Sequence, residues 1–319
     1  MVRALFIALA VWTCAAHAQE PYPAKPVRMI VPYAPGGPID VWGRVLVGEL
    51  SKGLGHTVVL DNRPGANGII GSELVAKSPP DGYTFLYQTG SHVANVHLYK
   101  KLPYDSVRDF QPITQMAATY GMVLVVHPSV PANSLKEFIS LAKSRPGKLN
   151  FASAGTGNAT HLATEMMKAA AGLDLVHVIY KGGGPALNDV MAGQVETMMV
   201  SVAQGTPFVK AGKVRALAIT AGKRAPQLAD VPTFQESGFP GFEFAGWHGL
   251  WFPAGVPKNR LMRMHGEVRK ILFSPEIKKR LDDLGLIPVG STPAEFAQFI
   301  KREIALYAKI VKSARIEPQ

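Results

Sequence analysis

Cysteine is nearly absent: the 319 residues include one, Cys14. It lies in the N-terminal leader, so the body of the chain has neither a disulfide framework nor a thiol nucleophile, and a core of this size needs no such staples. No charge-free apolar run reaches the ~20 residues that a membrane-spanning helix takes. Met1-Val2-Arg3, the apolar stretch Ala4 to Trp12 and then Ala16-His17-Ala18 have instead the layout of a secretory signal peptide cut after Ala18. Val11-Trp12-Thr13 ahead of Cys14 lacks the small residues of a lipidation site. Export and a periplasmic location are therefore expected.

Catalytic signatures are missing too. No Gly-x-Ser-x-Gly elbow occurs, so Ser153 and His161 lack the strained turn that exposes a serine nucleophile. There is no Walker-type lysine loop, and Gly155-Thr156-Gly157-Asn158-Ala159-Thr160 has Thr160 where a dinucleotide fingerprint needs its third glycine. His56, His92, His97, His127, His161, His177, His248 and His265 are read as forming no i, i+4 pair with a carboxylate, which argues against a metal site. His161 is read as a helix-start or packing residue. The chain is expected not to be an enzyme and to carry no cofactor and no metal.

Acidic residues are outnumbered, 23 against 34 lysines and arginines, for a net charge of +11. Much of the excess falls in residues 246–319, with 13 basic against 7 acidic side chains. Arg260, Arg263, Arg269, Lys270, Lys278, Lys279 and Arg280 are spread over helices with few aromatics between them. That is the pattern of a solvated helix face rather than a nucleic-acid-binding stripe.

What the chain does have is an alternation of apolar runs with helix-period runs, the mark of α/β layers and parallel strands. Strands are expected at 27–31, 57–60, 83–87, 122–126, 149–152, 175–180 and 214–220. Ser134-Leu135-Lys136-Glu137 and Thr292-Pro293-Ala294-Glu295 are capping boxes. After residue 246 the pattern turns helical, with helices over 257–273, 274–285 and 292–315 and one short strand at 287–289. Phe296, Phe299, Ile300, Ile304, Tyr307 and Val311 make the apolar stripe of the last helix. The chain shows neither a low-complexity linker nor an internal repeat. Two lobes joined by crossing strands are expected: residues 19–125 begin the first, 126–245 form the second, and 246–319 complete the first.

One pattern occurs three times: an apolar strand, a glycine-rich turn and a helix start. The turns are Tyr33-Ala34-Pro35-Gly36-Gly37-Pro38-Ile39-Asp40, Ser153-Ala154-Gly155-Thr156-Gly157-Asn158, and Tyr180-Lys181-Gly182-Gly183-Gly184-Pro185. Pro38 and Pro185 suit a first helical position, and Asn158 or Thr156 can cap the second helix. Glycines leave the backbone N–H groups uncovered, and a helix start carries about half a positive charge. A shared anion site at strand ends follows. Trp247 and Trp251, in Gly246-Trp247-His248-Gly249-Leu250-Trp251, are placed either at a pocket wall or in core packing.

These stretches, with Tyr22-Pro23-Ala24-Lys25-Pro26-Val27-Arg28, Asp61-Asn62-Arg63-Pro64-Gly65-Ala66-Asn67-Gly68, Pro80-Asp81-Gly82-Tyr83-Thr84 and Arg108-Asp109-Phe110-Gln111-Pro112-Ile113, resemble the Bug-type receptors of tripartite tricarboxylate transporters along the whole mature chain. The resemblance implies a type II periplasmic binding-protein fold, with a hinge and a ligand cleft between two α/β lobes. It implies a small organic carboxylate held by main-chain amides at Tyr33, Ala34, Gly36, Gly37, Asp40, Thr89 and Gly90. Ser153, Ala154, Gly155, Thr156, Gly157 and Asn158 would face these, and Tyr180, Gly184 and Trp247 complete the expected site. Asn158 replaces a serine common in the family, and Glu196 a usual aspartate, so the ligand itself is left open among dicarboxylates, aromatic acids and acidic amino acids. Inner-membrane permease subunits are the implied partners of a monomeric receptor. A sensor for a membrane signalling protein and a periplasmic hydrolase are the alternatives.

Overall fold

The computed structural model of the chain describes residues 22–36, 38–156, 158–180, 182–313 and 316–318; the expected leader with its cleavage site, Gly37 and Gly157 lie outside the described residues. The chain first runs β1 (Val27–Val31), α1 (Pro38–Leu54), β2 (Val58–Asn62), α2 (Ile69–Ala76), β3 (Thr84–Thr89), α3 (Ser91–Leu98) and β4 (Phe110–Thr119). It continues through β5 (Met122–Val126), α4 (Leu135–Ser144), β6 (Asn150–Ser153), α5 (Ala159–Ala171), β7 (Val176–Ile179), α6 (Gly183–Met191), β8 (Thr197–Ser201), α7 (Val202–Lys210) and β9 (Arg215–Ile219). It returns with β10 (Trp247–Pro253), α8 (Lys258–Leu272), α9 (Pro275–Asp283), β11 (Leu286–Pro288) and α10 (Pro293–Ser313).

Two sheets result, ordered β11-β4-β10-β3-β1-β2 and β7-β6-β8-β5-β9. Both are mixed, which corrects the expectation of parallel strands. β1 is parallel to β2 and β3, and β6 to β7 and β8. β10 runs antiparallel to β3 and β4, and β5 antiparallel to β8 and β9. The antiparallel strands are those next to the crossings, where the chain enters a sheet from the other lobe. The chain leaves the first sheet at Tyr120–Gly121, ahead of the change expected at 125, so β5 already belongs to the second sheet. Gly121 has φ +75, and a Cβ there would stand 2.7 Å from Thr220 Oγ1. Thr220 ties the two crossings together: its Oγ1 accepts the Met122 N–H at 2.8 Å and donates to the Phe244 carbonyl.

Period-two alternation sorts the strand side chains. Val27, Met29 and Val31 of β1 join a core with α1, α8 and α9, while Ile30 faces the opposite side. In α1, Trp42, Leu46, Leu50 and Leu54 recur every four residues and fill that same core. Pro38 opens this helix, with Asp40 in its first turn and Lys52 in its last, both complementing the dipole. A second cluster joins the two sheets, bringing Leu86 and Val93 together with Leu124, Phe151 and Leu162 under α3, α5 and α10. At the head of α10 the capping box closes fully: Thr292 Oγ1 accepts the Glu295 N–H at 3.2 Å and Glu295 Oε2 accepts the Thr292 N–H at 2.8 Å.

Candidate functional site

Between the sheets lies a cavity of about 310 Å³. Tyr33, Asn67, Thr89, Gly90 and Ser91 wall it from the first sheet's side, and Asn158, Ala159, Leu162 and Ser201 from the second's. Thr119, Gly121 and Met122 border it at the crossing, and Phe244, Trp247, His248 and Tyr307 enclose the rest. A larger groove of about 650 Å³ runs along residues 99–109 and touches none of the expected site residues.

Helix starts converge on this cavity. Ile39 is the second residue of α1, Gly90 and Ser91 begin α3, Asn158 caps α5 by accepting the Thr160 N–H at 3.0 Å, and Ser201 caps α7 by accepting the Gln204 N–H at 3.3 Å. Each contributes about half a positive charge and first-turn N–H groups without intrahelical partners. Among the described residues the wall includes no lysine and no arginine. His248 adds no charge at neutral pH: burial pushes it down to about 4, and its Nδ1 meets the Tyr87 hydroxyl at 2.7 Å. Burial holds the Tyr33 phenol above its ordinary range, so it stays a neutral donor, paired with Gln88 and lying 2.7 Å from Thr89 Oγ1 and 2.9 Å from Ser91 Oγ. Among the described wall residues the positive ends are therefore those of the main chain, while Ile39, Ala94, Met122, Leu162, Phe244 and Trp247 supply apolar surface.

The expected residues divide sharply. Tyr33, Thr89, Gly90, Asn158 and Trp247 line the cavity. Ala154, Gly155 and Thr156 line an adjoining cavity of about 320 Å³ that shares Asn67 and Asn158 with it. Ala34 and Gly36 are exposed beside the site and wall neither space. The Gly36 N–H is already used, donating to Asp40 Oδ2 at 3.0 Å. Asp40 is buried, lines neither cavity, and has its carboxylate engaged as a brace. Its carboxylate also takes Asn62 Nδ2 at 3.0 Å and Arg44 Nε at 2.9 Å, and Asn62 Nδ2 reaches the Tyr33 carbonyl at 3.0 Å. Burial alone would raise its pKa; the hydrogen bonds from Arg44, Gly36 and Asn62 outweigh that and hold it low.

The described residues of the third glycine loop line neither cavity, and Lys181 lies outside the described residues. Gly184 is exposed, Pro185 is the third residue of α6 rather than its first, and the Tyr180 hydroxyl donates to Asp189 Oδ2 at 2.6 Å. The starts of α3 and α7 take its place, with only Gly90 and Ser201 before them. Ser153 is fully buried beside His177 and also lines neither cavity. One histidine pairing needs correction: His161 and Glu165 do stand at i, i+4, with Nε2 3.8 Å from Oε1. Glu165 is bound by Lys168 at 2.7 Å, and no group of three or more metal-ligating side chains occurs among the described residues. Asn67, Ser91, Ser201, His248 and Tyr307 were not anticipated as wall residues. Asn67 alone carries a local cue, a left-handed φ of 50 that asparagine tolerates.

The profile of the tripartite tricarboxylate transporter family receptor, TctC, matches residues 43–316. The chain belongs to this receptor family. Solved structures agree over nearly the full length. The structure of R. palustris Rpa4515 with adipate is similar at a TM-score of 0.80 and 34% identity, covering 93% of this chain and 100% of that one. The periplasmic binding protein BugD gives 0.77 and 36%, over 93% and 100%. MatC from Rhodopseudomonas palustris with bound malate gives 0.75 and 33%, over 91% and 100%. The TctC-type receptor described here therefore has their two-lobed α/β fold and is a solute-binding protein, not an enzyme; the family is periplasmic. No described helix is long and apolar enough to cross a membrane.

Proposed function

We propose that this receptor captures a small organic carboxylate in the cavity between its lobes and hands it to a tripartite tricarboxylate-type permease. The supporting observation is the set of four helix starts around a largely apolar cavity whose wall, among the described residues, includes no lysine or arginine. A carboxylate fits such a site because charge-assisted hydrogen bonds from backbone amides bring ~1.5–3 kcal/mol each. Against association costs of ~4 kcal/mol or more, a few such bonds plus burial of the ligand's body reach roughly micromolar affinity. Tyr33, Thr89, Gly90 and Ser91 on one side and Asn158, Ala159 and Ser201 on the other are the contacts we assign, with Trp247 and Phe244 against the ligand's body. The lobes exchange chain at 120–121 and again after β9, and the first is completed by α8 to α10. Adipate and malate, seen in the similar structures, are natural starting ligands. A thermal-shift screen over dicarboxylates, aromatic acids and acidic amino acids tests the reading: a ligand at 100 times its dissociation constant adds ~2.7 kcal/mol. Stabilisation by sugars or amines with no response to any acid would overturn it.

A further inference from the structure

A compact polar cluster lies behind the second glycine loop, outside both cavities. Ser153 Oγ stands 2.6 Å from His177 Nε2 and accepts the Gly155 N–H at 3.2 Å. The serine's hydrogen has two acceptors in reach, the Gly155 carbonyl at 3.4 Å and His177 Nε2 at 2.6 Å, and the much shorter contact assigns it to Nε2. Gly155, at φ +135, in turn accepts the Asn158 N–H on its carbonyl at 3.2 Å. Asn158 is the α5 cap and walls the cavity. An unbroken chain of hydrogen bonds thus leads from an imidazole on β7 to the ligand side of the second lobe. The imidazole is itself fixed by packing: its ring lies parallel to Phe151 with centroids 4.6 Å apart and to His161 at 4.1 Å.

We propose that His177 is a positioning residue for ligand binding: through Ser153 and Gly155 it sets the second glycine loop so that Asn158 meets the ligand, and acid releases it. The groups facing His177 are His161 and Lys168 on α5, both paired with Glu165, and Phe151 and Ser153 on β6. Burial first, and then Lys168, pushes His177 down to about 4, so the ring is neutral at neutral pH; its one proton is assigned to Nδ1, which leaves Nε2 to accept from Ser153. Protonation turns that acceptor into a donor, reverses the serine hydrogen bond and places a cation against His161 and Lys168.

The inference rests on the proposed cavity but can be tested apart from it. His177→Phe keeps a ring in the stack and removes Nε2; His177→Gln restores an amide at about the place of Nε2. Amide hydrogen exchange, normalised to unstructured rates at each pH, is read at Gly155 and Asn158. Both amides are expected to exchange about tenfold faster in the Phe variant and near wild-type rates in the Gln variant. Affinity for the acid selected by the screen is expected to fall about tenfold in the Phe variant only. In the wild type the same amides loosen as the pH falls toward 4, and in the Gln variant they do not. Unchanged loop exchange in the Phe variant, or faster exchange spread evenly over β6 and β7, would overturn the positioning role. If no acid in the screen stabilises the wild type, the proposed ligand class falls, while the exchange comparison still decides the role of His177.

Discussion

Asp40 and Arg44 separate two ways of holding an anion. If Arg44 were the cation that receives the ligand, its loss would abolish binding. The geometry gives it a different task. Its side chain is 57% exposed, and its guanidinium is engaged with Asp40 at 2.9 Å. The pair is half-buried, because the Asp40 carboxylate is buried and takes two hydrogen bonds from Arg44, so its loss costs more than an exposed i, i+4 pair, about 1–2 kcal/mol. Arg44→Ala should therefore lower the melting temperature by about 2–8 °C and, with Gly36 and Asn62 still holding Asp40, leave the dissociation constant within about twofold. Asp40 has more at stake, because its carboxylate is 2% exposed and also holds the Gly36 N–H and Asn62 Nδ2, each at 3.0 Å. Two hydrogen bonds to a buried charge give roughly 3–6 kcal/mol gross. Part of that is offset because alanine no longer has to bury a carboxylate, leaving a net loss of roughly 2–4 kcal/mol. For a chain of this size the melting temperature should drop by about 5–15 °C. Gly36 and the Tyr33 carbonyl, no longer braced, should cost at least about tenfold in affinity. Differential scanning fluorimetry and calorimetry with the tightest acid from the screen give both numbers. Lost binding in Arg44→Ala with retained binding in Asp40→Ala would refute the main-chain account.

Four further outcomes are expected. Thr220→Val keeps shape but leaves the Met122 N–H and the Phe244 carbonyl without their partner; each costs ~1–3 kcal/mol, so denaturant melts should show a loss of about 2 kcal/mol or more. Gly90→Val places its first carbon 2.9 Å from the Tyr307 hydroxyl and 3.1 Å from Trp247 Nε1, so the cavity wall is displaced and calorimetry should show affinity falling by about a hundredfold, with a stability cost of ~1–3 kcal/mol. Burial pushes His92 and His248 down to about 4, below the ordinary ~6.5, so the unfolded chain takes up protons first. Stability should accordingly fall as the pH drops from about 6.5 to about 4 and stop responding to these groups below that; a melting temperature flat across that window contradicts it. Intact-mass measurement on periplasmic extract should find a chain beginning at Gln19, and a full-length, membrane-held species would contradict the expected processing.

Much of this organisation is legible in local patterns, because local physics decides it. Pro38 and Asp40 at a helix start, Asn158 as a cap and Thr292 with Glu295 as a box all involve residues within four positions of each other. The strands around residues 27, 58, 84, 122, 150, 176 and 215 also follow from apolar runs. β5 is buried throughout and still shows as an unbroken apolar run, whereas β10 escaped because His248 and Gly249 interrupt its run and Pro253 closes it. β4 is interrupted by Pro112 and by irregular pairing with β10. The site suffers most from this limit. Its wall gathers Asn67, Ser91, Ser201, His248 and Tyr307 from segments brought together only by the fold, and Tyr307 reads in sequence as one more apolar-stripe residue of α10. The third glycine loop misled for the opposite reason: glycine serves a positive φ of +125 at Gly182 whether or not a ligand is near.

The position of β10 bears on when this molecule can become itself. In the first sheet it lies between β4 and β3, although it is built from residues 247–253. Until that segment is available, β3 and β4 have no common neighbour, and the sheet stays split into two pieces with open edges. Contacts between such distant stretches of chain form slowly, since loop closure precedes any reward. The N-terminal third therefore cannot lock into a finished lobe while the C-terminal third is still being made.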